Sequence, residues 1–313
     1  MSTLDYRGLA VLDAVAASGS FDKAALLLGM SQSAVSQRIK ALEDSCGRLL
    51  VVRGAPSAPT GLGQRLVLHF RHVKLMEAAL DIDLGRDASL PTLALALDAD
   101  SLATWFAQAL PALLSPPRCQ FNIELADGER ALRLVREGAA FACVAEADGG
   151  GAGEAAVGTS ATALGLLRYT CVATPAFAGH WFGDGFIAEA VALAPAVVSE
   201  RKQLARFLAR EFDGEVAFPH HTMPVSAALE NCILHGVAYG LMPELSALSR
   251  IAAGQLVNLT PGRTWNTALS WHAWNIDTPF TRALTEHIVT SARRYLPQPH
   301  TAPPHRGQSF NLQ

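Results

Sequence analysis

Apolar positions in residues 20–46 recur with the period of two short helices that are separated by a tight turn. Ser20 can cap the first helix, and Gly29 supplies a turn residue that tolerates a positive φ. Ser31 can then cap a second helix that runs to about Cys46. This pattern predicts a helix–turn–helix near the start of the chain.

The second helix of this pair has two chemically different sides. Val35, Ile39 and Leu42 recur at i, i+4 and i+7, so one side is predicted to face the core. Amides and hydroxyls on the other side suit base edges in a major groove, and cations suit phosphates. The alternative is the solvated face of an ordinary αα-hairpin, but such a face is usually rich in Glu and Lys, and this one has no acid before Glu43. The polar side consists of Gln32, Ser33, Ser36, Gln37, Arg38 and Lys40.

A short apolar strand and a proline-rich loop follow the helix pair. Residues 49–53 predict the strand, and residues 54–59 predict the loop, which ends at Thr60. A further helix over residues 4–17 would pack beneath the pair. Together these elements predict a winged helix–turn–helix, in which Arg53 and the loop lie along the DNA backbone or in the minor groove.

From Thr60 onward the pattern predicts one long helix. Leu66, Val73 and Leu80 recur every seven residues, which gives this helix a single apolar stripe. The small N-terminal domain offers nothing that would bury such a stripe, so the helix either docks on the C-terminal domain or pairs with a second copy. We favour pairing, because a dimer would present two reading helices to successive major grooves.

Beyond the long helix, the pattern changes to apolar strands that alternate with helices. Residues 87–91 mark the predicted boundary, and the alternation continues to residue 145. A second run of the same kind covers residues 166–259, and a strand and a helix within 267–296 close the chain. Such alternation predicts two α/β lobes with doubly wound sheets, between which the chain crosses twice. Lobes joined in this way form a cleft like that of periplasmic solute-binding proteins.

The predicted fold class is therefore α/β overall, with four parts along the chain. The last part is rich in Pro, His and Gln and lacks an apolar period, which predicts disorder. The predicted parts are a winged helix–turn–helix domain over 1–60, a linker helix over 61–90, a two-lobed domain over 91–297 (lobe I about 91–164 and 267–297, lobe II about 165–266) and a disordered tail over 298–313.

Composition supports a large core, and the charges are unevenly distributed. The chain has 313 residues, 50% of them hydrophobic and 17% charged, which is enough for two or three domains. Its net charge of −3 argues at first against a nucleic-acid partner. Residues 1–74, however, contain nine Lys/Arg and five Asp/Glu, hence +4, whereas the rest contains sixteen and twenty-three, hence −7. The cations are concentrated in the part that would face DNA.

Several other classes of protein are disfavoured. The five cysteines are scattered without a CxxC pair, which is typical of a reducing compartment. No run approaches the ~20 apolar residues of a membrane span, and Asp5 stands where a signal peptide would be basic, so a cytoplasmic protein is expected. No GxSxG or HExxH motif is present, and the glycines within 149–153 indicate a surface loop. We expect neither an enzyme nor a cofactor or metal.

A ligand site is predicted where the first strand of the two-lobed domain ends. Ligands of open α/β sheets lie outside the carboxyl ends of strands, often at a helix N-terminus. There, Ser101 as a helix cap and the N–H groups behind it could hold a carboxylate, and Thr104 adds a hydroxyl. Asp127 ends the neighbouring strand and could face a cation. The alternative is that Ser101 and Asp127 only cap their helices, and Trp105 is expected in the core.

Beyond these patterns, residues 20–53 (SFDKAALLLGMSQSAVSQRIKALEDSCGRLLVVR), the proline-rich wing and TGLGQRL resemble the DNA-binding domain of LysR-type transcriptional regulators. The resemblance covers about residues 4–75 without gaps. It implies that the long helix is a dimerising linker, that the protein is a homodimer or homotetramer on a dyad-containing promoter, and that RNA polymerase is a further partner. The implied DNA contacts are Ser31, Gln32, Ser33, Ser36, Gln37, Arg38, Lys40, Arg53 and Thr60.

Three segments of the C-terminal domain, DADSLATWF (98–106), LTPG (259–262) and SWH (270–272), resemble one subgroup of that family. This subgroup, sometimes called the LysG/ArgP group, controls basic amino-acid export in response to lysine or arginine. The resemblance implies that hydroxyls bind the carboxylate of the amino acid and that an aspartate binds its ammonium or cationic side chain. The implied effector site consists of Asp98, Ser101, Thr104, Asp127 and Ser226.

Two positions depart from the subgroup pattern. Asp98 stands where an asparagine is expected, and residues 225–229 (VSAAL) stand where a segment of the Ser-Ser-Glu-Ala type is usual. The second departure removes an acid that would hold an ammonium group. Lysine or arginine remains the favoured effector; the alternatives are a different small effector, or an architectural DNA-binding protein with no effector.

Overall fold

The structure is a computed structural model, and it describes residues 4–85, 90–115, 119–147, 158–199, 201–223 and 226–299. Three expectations fall wholly or largely outside the described residues. These are the glycine-rich loop, the disordered tail from residue 300 onward, and residues 86–89 at the predicted domain boundary.

Three helices and a two-stranded wing form the N-terminal domain. The Ser20 hydroxyl accepts a hydrogen bond from the backbone of Lys23, and the Ser31 hydroxyl accepts one from Ala34, so both predicted caps are present. Gly29 ends the second helix with a φ of 62°, as the turn requires. The predicted winged helix–turn–helix is therefore confirmed. Its elements are α1 (Tyr6–Ser18), α2 (Phe21–Leu28), α3 (Gln32–Cys46), β1 (Val51–Val52) and β2 (Ala58–Pro59).

One long helix, α4 (Gly61–Asp83), runs from the N-terminal domain to the C-terminal domain. Val67 is buried in the core of the N-terminal domain. Leu75 and Ala79, two and three turns further on, are buried in the core of the C-terminal domain. A single helix therefore belongs to both cores.

The stripe that the seven-residue repeat predicts is divided between the N-terminal core, against which Leu66 packs, and the surface of the chain. Leu66 and Val73 are half-buried, and Leu80 is 56% exposed. The two expected alternatives are therefore not exclusive. The first part of the predicted stripe docks within the chain. Leu80 lies with Met76 and Leu84 in an exposed row at the surface of this chain, which we call the outer stripe.

A seven-stranded mixed sheet organises the described part of the C-terminal domain. Its strand order is β10-β6-β11-β5-β3-β4, and β9 pairs with β6 as well; β7 and β8 form a separate parallel pair. Strand β3, next to the edge strand β4, is parallel to both of its neighbours, as the strand–helix alternation predicts. The strands are β3 (Thr92–Leu97), β4 (Gln120–Leu125), β5 (Ala142–Glu146), β6 (Thr159–Ala173), β7 (Ala196–Val198), β8 (His220–Thr222), β9 (Gly240–Pro243), β10 (Val257–Asn258) and β11 (Trp265–Trp274).

The long antiparallel strands β6 and β11 connect two halves of this domain. Their register shifts between Leu269 and Ser270, opposite Gly165. Gly165 has a φ of 138°, and a Cβ there would lie 2.8 Å from Cβ of Leu296, so the position requires glycine. On one side of this point, β6 and β11 belong to the same part of the sheet as β3, β4 and β5, and we call this part lobe I. On the other side they join β9 and β10, with β7 and β8 beside them, which we call lobe II.

Helices cover both lobes. The first helix of lobe I begins with Ala99–Ser101, passes through a π-helical turn at Leu102–Phe106 and continues to Leu114. The remaining helices are α7 (Gly128–Arg136), α8 (Pro175–Trp181), α9 (Ala188–Val191), α10 (Arg201–Glu211), α11 (Ser226–Leu234), α12 (Glu244–Ala252) and α13 (Pro279–Tyr295); Ala99–Ser101 is α5 and Ala107–Leu114 is α6.

Candidate functional sites

The polar side of α3 is presented to solvent. Val35, Ile39 and Leu42 are 0%, 1% and 2% exposed, and they anchor the helix on the domain core. The opposite side is left uncovered by the rest of the described chain. Of the predicted DNA contacts on it, Ser36 and Arg38 are half-exposed, and the fully exposed ones are Ser31, Gln32, Ser33, Gln37 and Lys40.

Some of these polar groups also have contacts within the domain. The Ser31 hydroxyl lies 3.0 Å from that of Ser33 while it caps α3. One Arg38 nitrogen lies 3.9 Å from the Asp5 carboxylate, with both side chains more than 40% exposed. Such an exposed pair is weak, so the guanidinium can exchange this partner for a phosphate.

The wing is fastened on two sides. The Glu43 carboxylate on α3 accepts hydrogen bonds from the backbone of Leu50 at 2.8 Å and Val51 at 3.3 Å. On the other side, the backbone N–H of Ser57 donates to the carbonyl of Gly19 in the α1–α2 turn, at 2.8 Å. The wing therefore keeps a defined position beside the reading helix.

Arg53 and Thr60 lie at the two ends of the wing. The guanidinium carbon of Arg53 lies 5.0 Å from the centroid of the Phe21 ring, so a cation–π contact orients an exposed cation. The Thr60 hydroxyl caps α4 by accepting from Gly63, and it donates to the Leu49 carbonyl at 2.9 Å. Thr60 therefore supports the wing, and its DNA contact stays a prediction.

A polar cleft lies between the two lobes. Lobe I contributes Asp100, Ala103 and Thr104 from its first helix. Lobe II contributes several hydroxyls, an amide and a second carboxylate to the same lining. These are Tyr169, Ser199, Gln203, Ser226, Glu230 and Ser246.

Asp100 is the centre of this cleft. Tyr169 donates its hydroxyl to one carboxylate oxygen at 2.9 Å, and Ser226 donates to the other at 2.6 Å. Both donors belong to lobe II, so Asp100 ties the lobes together. Burial, followed by the charges of Asp100 and Asp98, raises the pKa of Tyr169 well above its ordinary value, so its hydroxyl stays protonated and remains a donor.

The predicted roles of the first-helix residues need correction. Ser101 is not the cap: Asp98 occupies that position and accepts the Ser101 N–H at 2.7 Å. The helix cap lies three residues earlier than predicted, so Ser101 lies inside the helix and is fully buried. Burial also raises the pKa of Asp98. Thr104 lines the cleft, although its hydroxyl donates to the Asp100 carbonyl at 2.6 Å.

The two other predicted effector residues differ in position. Ser226 lies in the cleft, and its contact with an effector stays a prediction. Asp127 precedes α7 and is exposed, and it does not belong to the described lining of the cleft. The acid in contact with lobe II is instead Asp100, which sequence reasoning missed. Its signal is its position, because it lies four residues before Thr104 and therefore shares a helix face with it.

The cleft carries negative charge. Asp100 and Glu230 are its ionisable carboxylates, and the described lining includes no Lys or Arg. Glu230 lies on α11 one turn after Ser226 and forms an ion pair with Arg250. An acid is therefore present in lobe II, immediately after the segment in which the sequence departs from the subgroup pattern.

The described residues lack both a candidate membrane span and a candidate metal cluster. None of the helices there has the length and apolar character that crossing a bilayer would demand. In the same ranges, no cluster of three or more His, Cys, Asp or Glu side chains is placed to hold a metal ion.

A winged helix–turn–helix joined by a long helix to a two-lobed domain with a polar cleft defines a class of protein: transcription regulators that carry a small-molecule-binding domain in the same chain. Residues 6–64 match the family described as "Bacterial regulatory helix-turn-helix protein, lysR family". The HTH-type transcriptional regulator ArgP of Pseudomonas aeruginosa is 37% identical over 297 residues, which are 93% of this chain and 97% of that protein. The chain therefore belongs to the LysR family of transcriptional regulators.

Solved structures agree with this assignment. ArgP from Mycobacterium tuberculosis superposes with a TM-score of 0.82 at 30% identity, over 95% of this chain and all of that one. Full-length LysG from Corynebacterium glutamicum with bound effector Arg gives 0.75 at 30% identity, over 94% of this chain and all of that one. The relatives are named as regulators and not as enzymes, which confirms the predicted class.

Proposed function

We propose that this regulator binds a basic amino acid, arginine or lysine, in the cleft between its lobes. The observation that carries the proposal is the carboxylate of Asp100 in a described lining without Lys or Arg, where the second carboxylate, Glu230, is ion-paired with Arg250. A ligand with net positive charge is favoured in such a site, and an anionic metabolite is repelled. The related LysG, which is 30% identical, was solved with bound Arg.

Asp100 is the proposed partner of the ligand cation. A carboxylate offers about four lone-pair sites, so Asp100 can accept two further donors besides Tyr169 and Ser226. A guanidinium can donate two parallel hydrogen bonds to one carboxylate, which suits arginine well. The hydroxyls of Ser199 and Ser246 and the amide of Gln203 remain for the ligand's own carboxylate, because Ser226 already donates its hydroxyl to Asp100.

The other proposed partner is promoter DNA. Gln32, Ser36 and Gln37 would contact base edges, while Arg38, Lys40 and Arg53 would contact phosphates. The outer stripe of α4 would pair two copies, so that two reading helices face successive grooves as a homodimer or as half of a homotetramer. By the subgroup resemblance, a suitable target is the promoter of a basic amino-acid exporter, bound in the cytoplasm where RNA polymerase is a further partner.

The effector proposal is tested with the full chain and two matched acid variants. Arginine is expected to raise the thermal midpoint of the wild-type protein, because a ligand that binds only the native state stabilises it. Asp100→Asn should weaken arginine binding by about tenfold or more, the size of a lost hydrogen bond to a charged group. Asp127→Asn, which removes an exposed acid outside the cleft lining, should leave it unchanged.

Citrulline provides the chemical control, because it has nearly the shape of arginine without the charge. It should bind poorly to the wild-type protein and equally poorly to Asp100→Asn. If Asp100→Asn binds arginine as tightly as the wild type, the proposed site is wrong. If no amino acid in a broad panel raises the midpoint, the architectural DNA-binding alternative is favoured.

A further inference from the structure

Arg71 lies on α4 between the part of the helix that belongs to the N-terminal core and the part that belongs to the C-terminal core. Its Nε lies 2.6 Å from the Asp13 carboxylate on α1. Its Nη1 donates to the Gly138 carbonyl, just beyond α7 of lobe I, at 2.6 Å. The guanidinium therefore bonds the DNA-binding domain and the C-terminal domain at once.

Burial and charge both favour these two contacts. The side chains of Arg71 and Asp13 are only 22% and 28% exposed, so solvent screens their ion pair less than it would a fully exposed one. The Gly138 carbonyl lies at the C-terminal end of α7, where the helix dipole favours a cation. Bonds of this length between a guanidinium and oxygen acceptors are among the stronger hydrogen bonds in proteins.

Neighbouring residues of α4 hold the same end of α7. The Gln64 side chain donates to the Glu137 carbonyl. Leu68 packs against Gly138, where a Cβ would lie 2.9 Å from the leucine Cδ1. One turn after Leu68, the ring of His72 lies 4.6 Å from that of Trp274. Residues 64–72 of α4 therefore pack against lobe I.

The gap between α1 and lobe I is less closely packed. An open cavity of about 730 Å³ lies there, and its wall includes Asp13 and Ala17 from α1, Lys74 from α4, and Trp274 from lobe I. A domain orientation is held firmly where side chains interlock and more loosely where a cavity intervenes. The two bonds of Arg71 cross this loosely packed junction.

We infer that Arg71 is a positioning residue for two-site DNA recognition. By bonding α1 and lobe I at once, it fixes the direction in which each DNA-binding domain presents its reading helix. In a dimer, that direction sets the separation of the two half-sites that can be bound together. The inference rests on the proposed binding of a dyad-containing site.

The test compares dyad sites that differ only in the number of base pairs between their halves. A dyad site is first enriched from random duplexes by the full-length wild-type protein, and its central spacer is then shortened or lengthened by one and two base pairs. Affinities are measured for each duplex and for a single half-site. The variants are Arg71→Ala, Arg71→Lys and Asp13→Asn, and the matched control is Lys74→Ala, which removes an exposed cation from the same helix.

The wild type should prefer one spacing. In Arg71→Ala the ratio of affinities between the preferred and the altered spacings should fall about 5- to 10-fold, which is the size expected for one lost charge-assisted hydrogen bond. The affinity of Arg71→Ala for a single half-site should equal that of Lys74→Ala. Arg71→Lys should fail to restore the spacing preference, because an ammonium lacks the fork that reaches both acceptors. Asp13→Asn leaves Arg71 in place and should loosen the preference in the same direction, which keeps the test valid if Arg71→Ala folds poorly.

Three results would overturn the inference. The first is an unchanged spacing preference in both Arg71→Ala and Asp13→Asn, and the second is a wild type that accepts all spacings equally. The third is a loss of half-site affinity in Arg71→Ala that is as large as its loss of affinity for the dyad site. That result would indicate that Arg71 contacts DNA directly. Binding by the wild type that ignores sequence altogether is a distinct result, because it removes the proposed DNA recognition itself.

Discussion

Gln37 and Arg53 expose two different chemistries on the DNA-binding domain. Gln37 is an exposed amide on α3, and Arg53 is an exposed cation at the edge of the wing, held over Phe21. An amide can discriminate between base edges, whereas a cation on a phosphate supports every sequence alike. The two side chains should therefore contribute separately to specificity and to affinity.

This difference is measurable by fluorescence anisotropy on an enriched site and on a scrambled duplex across a salt series. Gln37→Ala should cost about 1–3 kcal/mol on the enriched site and little on the scrambled one. Arg53→Ala should weaken both and reduce the salt slope by about 1. Each variant is the control for the other. Equal losses on both duplexes for Gln37→Ala would contradict a base-reading role.

Single residues also show where sequence reasoning reached its limit in the cleft. Asp98, Asp100 and Ser101 are neighbours in the chain, and each is chemically able to cap a helix or bind a ligand. Which of them does so depends on where the helix begins, and periodicity locates a helix end only within a few residues. The structure starts the helix at Ala99, which assigns the cap to Asp98 and leaves Asp100 facing lobe II.

Between elements, the half-buried His72 and the buried His272 connect stability to pH. His72 on α4 packs against Trp274, and His272 lies on β11. Burial lowers the pKa of each below the ordinary value of 6.5; His69 lowers that of His72 further, and Arg136 that of His272. Below pH 6.5 these two histidines therefore bind more protons in the unfolded chain than in the folded chain. Their contribution to stability is complete above pH 6.5 and is lost as the pH falls through the lower folded values.

Urea unfolding at a series of pH values between 5 and 7 tests this linkage. The free energy of unfolding should rise with pH in the wild type, and the rise should be smaller in His72→Gln, which does not titrate. In the companion variant His272→Gln, the free energy of unfolding should still rise with pH by the amount that His72 contributes. A pH dependence identical to that of the wild type in both variants would contradict the assignment.

At the scale of the whole molecule, the outer stripe of α4 is the feature that calls for a second copy. Met76, Leu80 and Leu84 are 44%, 56% and 54% exposed, at spacings of four residues along one side. Apolar side chains in such a row usually lie in an interface, since exposing them to water is unfavourable. Leu80 is also a member of the seven-residue repeat that the sequence shows.

Leu80→Glu should shift the assembly toward monomer in sedimentation velocity, because it places a charge in the proposed interface. Affinity for the dyad site should fall, and affinity for a single half-site should remain. Leu248→Glu is a matched control, as its leucine is also 56% exposed but lies on α12 of lobe II. If Leu80→Glu and Leu248→Glu leave the same oligomer as the wild type, the stripe is not the pairing surface.

The sequence by itself determined the DNA-binding domain and the class of the protein. The caps of α2 and α3, the glycine between them and the core triplet of α3 all act within a few residues of one another. Interactions over such short distances along the chain depend on residue spacing, so they can be predicted without knowledge of the rest of the fold. The alternation of strands and helices is local in the same sense, and it was sufficient to predict the α/β class.

Only the tertiary structure decided the cleft and the junction. Asp100, Tyr169 and Ser226 meet although more than fifty residues separate each from the next, and Arg71 meets Asp13 and Gly138 over comparable intervals. Such meetings depend on strand register and on how β6 and β11 carry the chain between lobes, which side-chain spacing does not encode. The formation of a helix or strand depends mainly on nearby residues, whereas the contacts of its side chains depend on the complete tertiary structure.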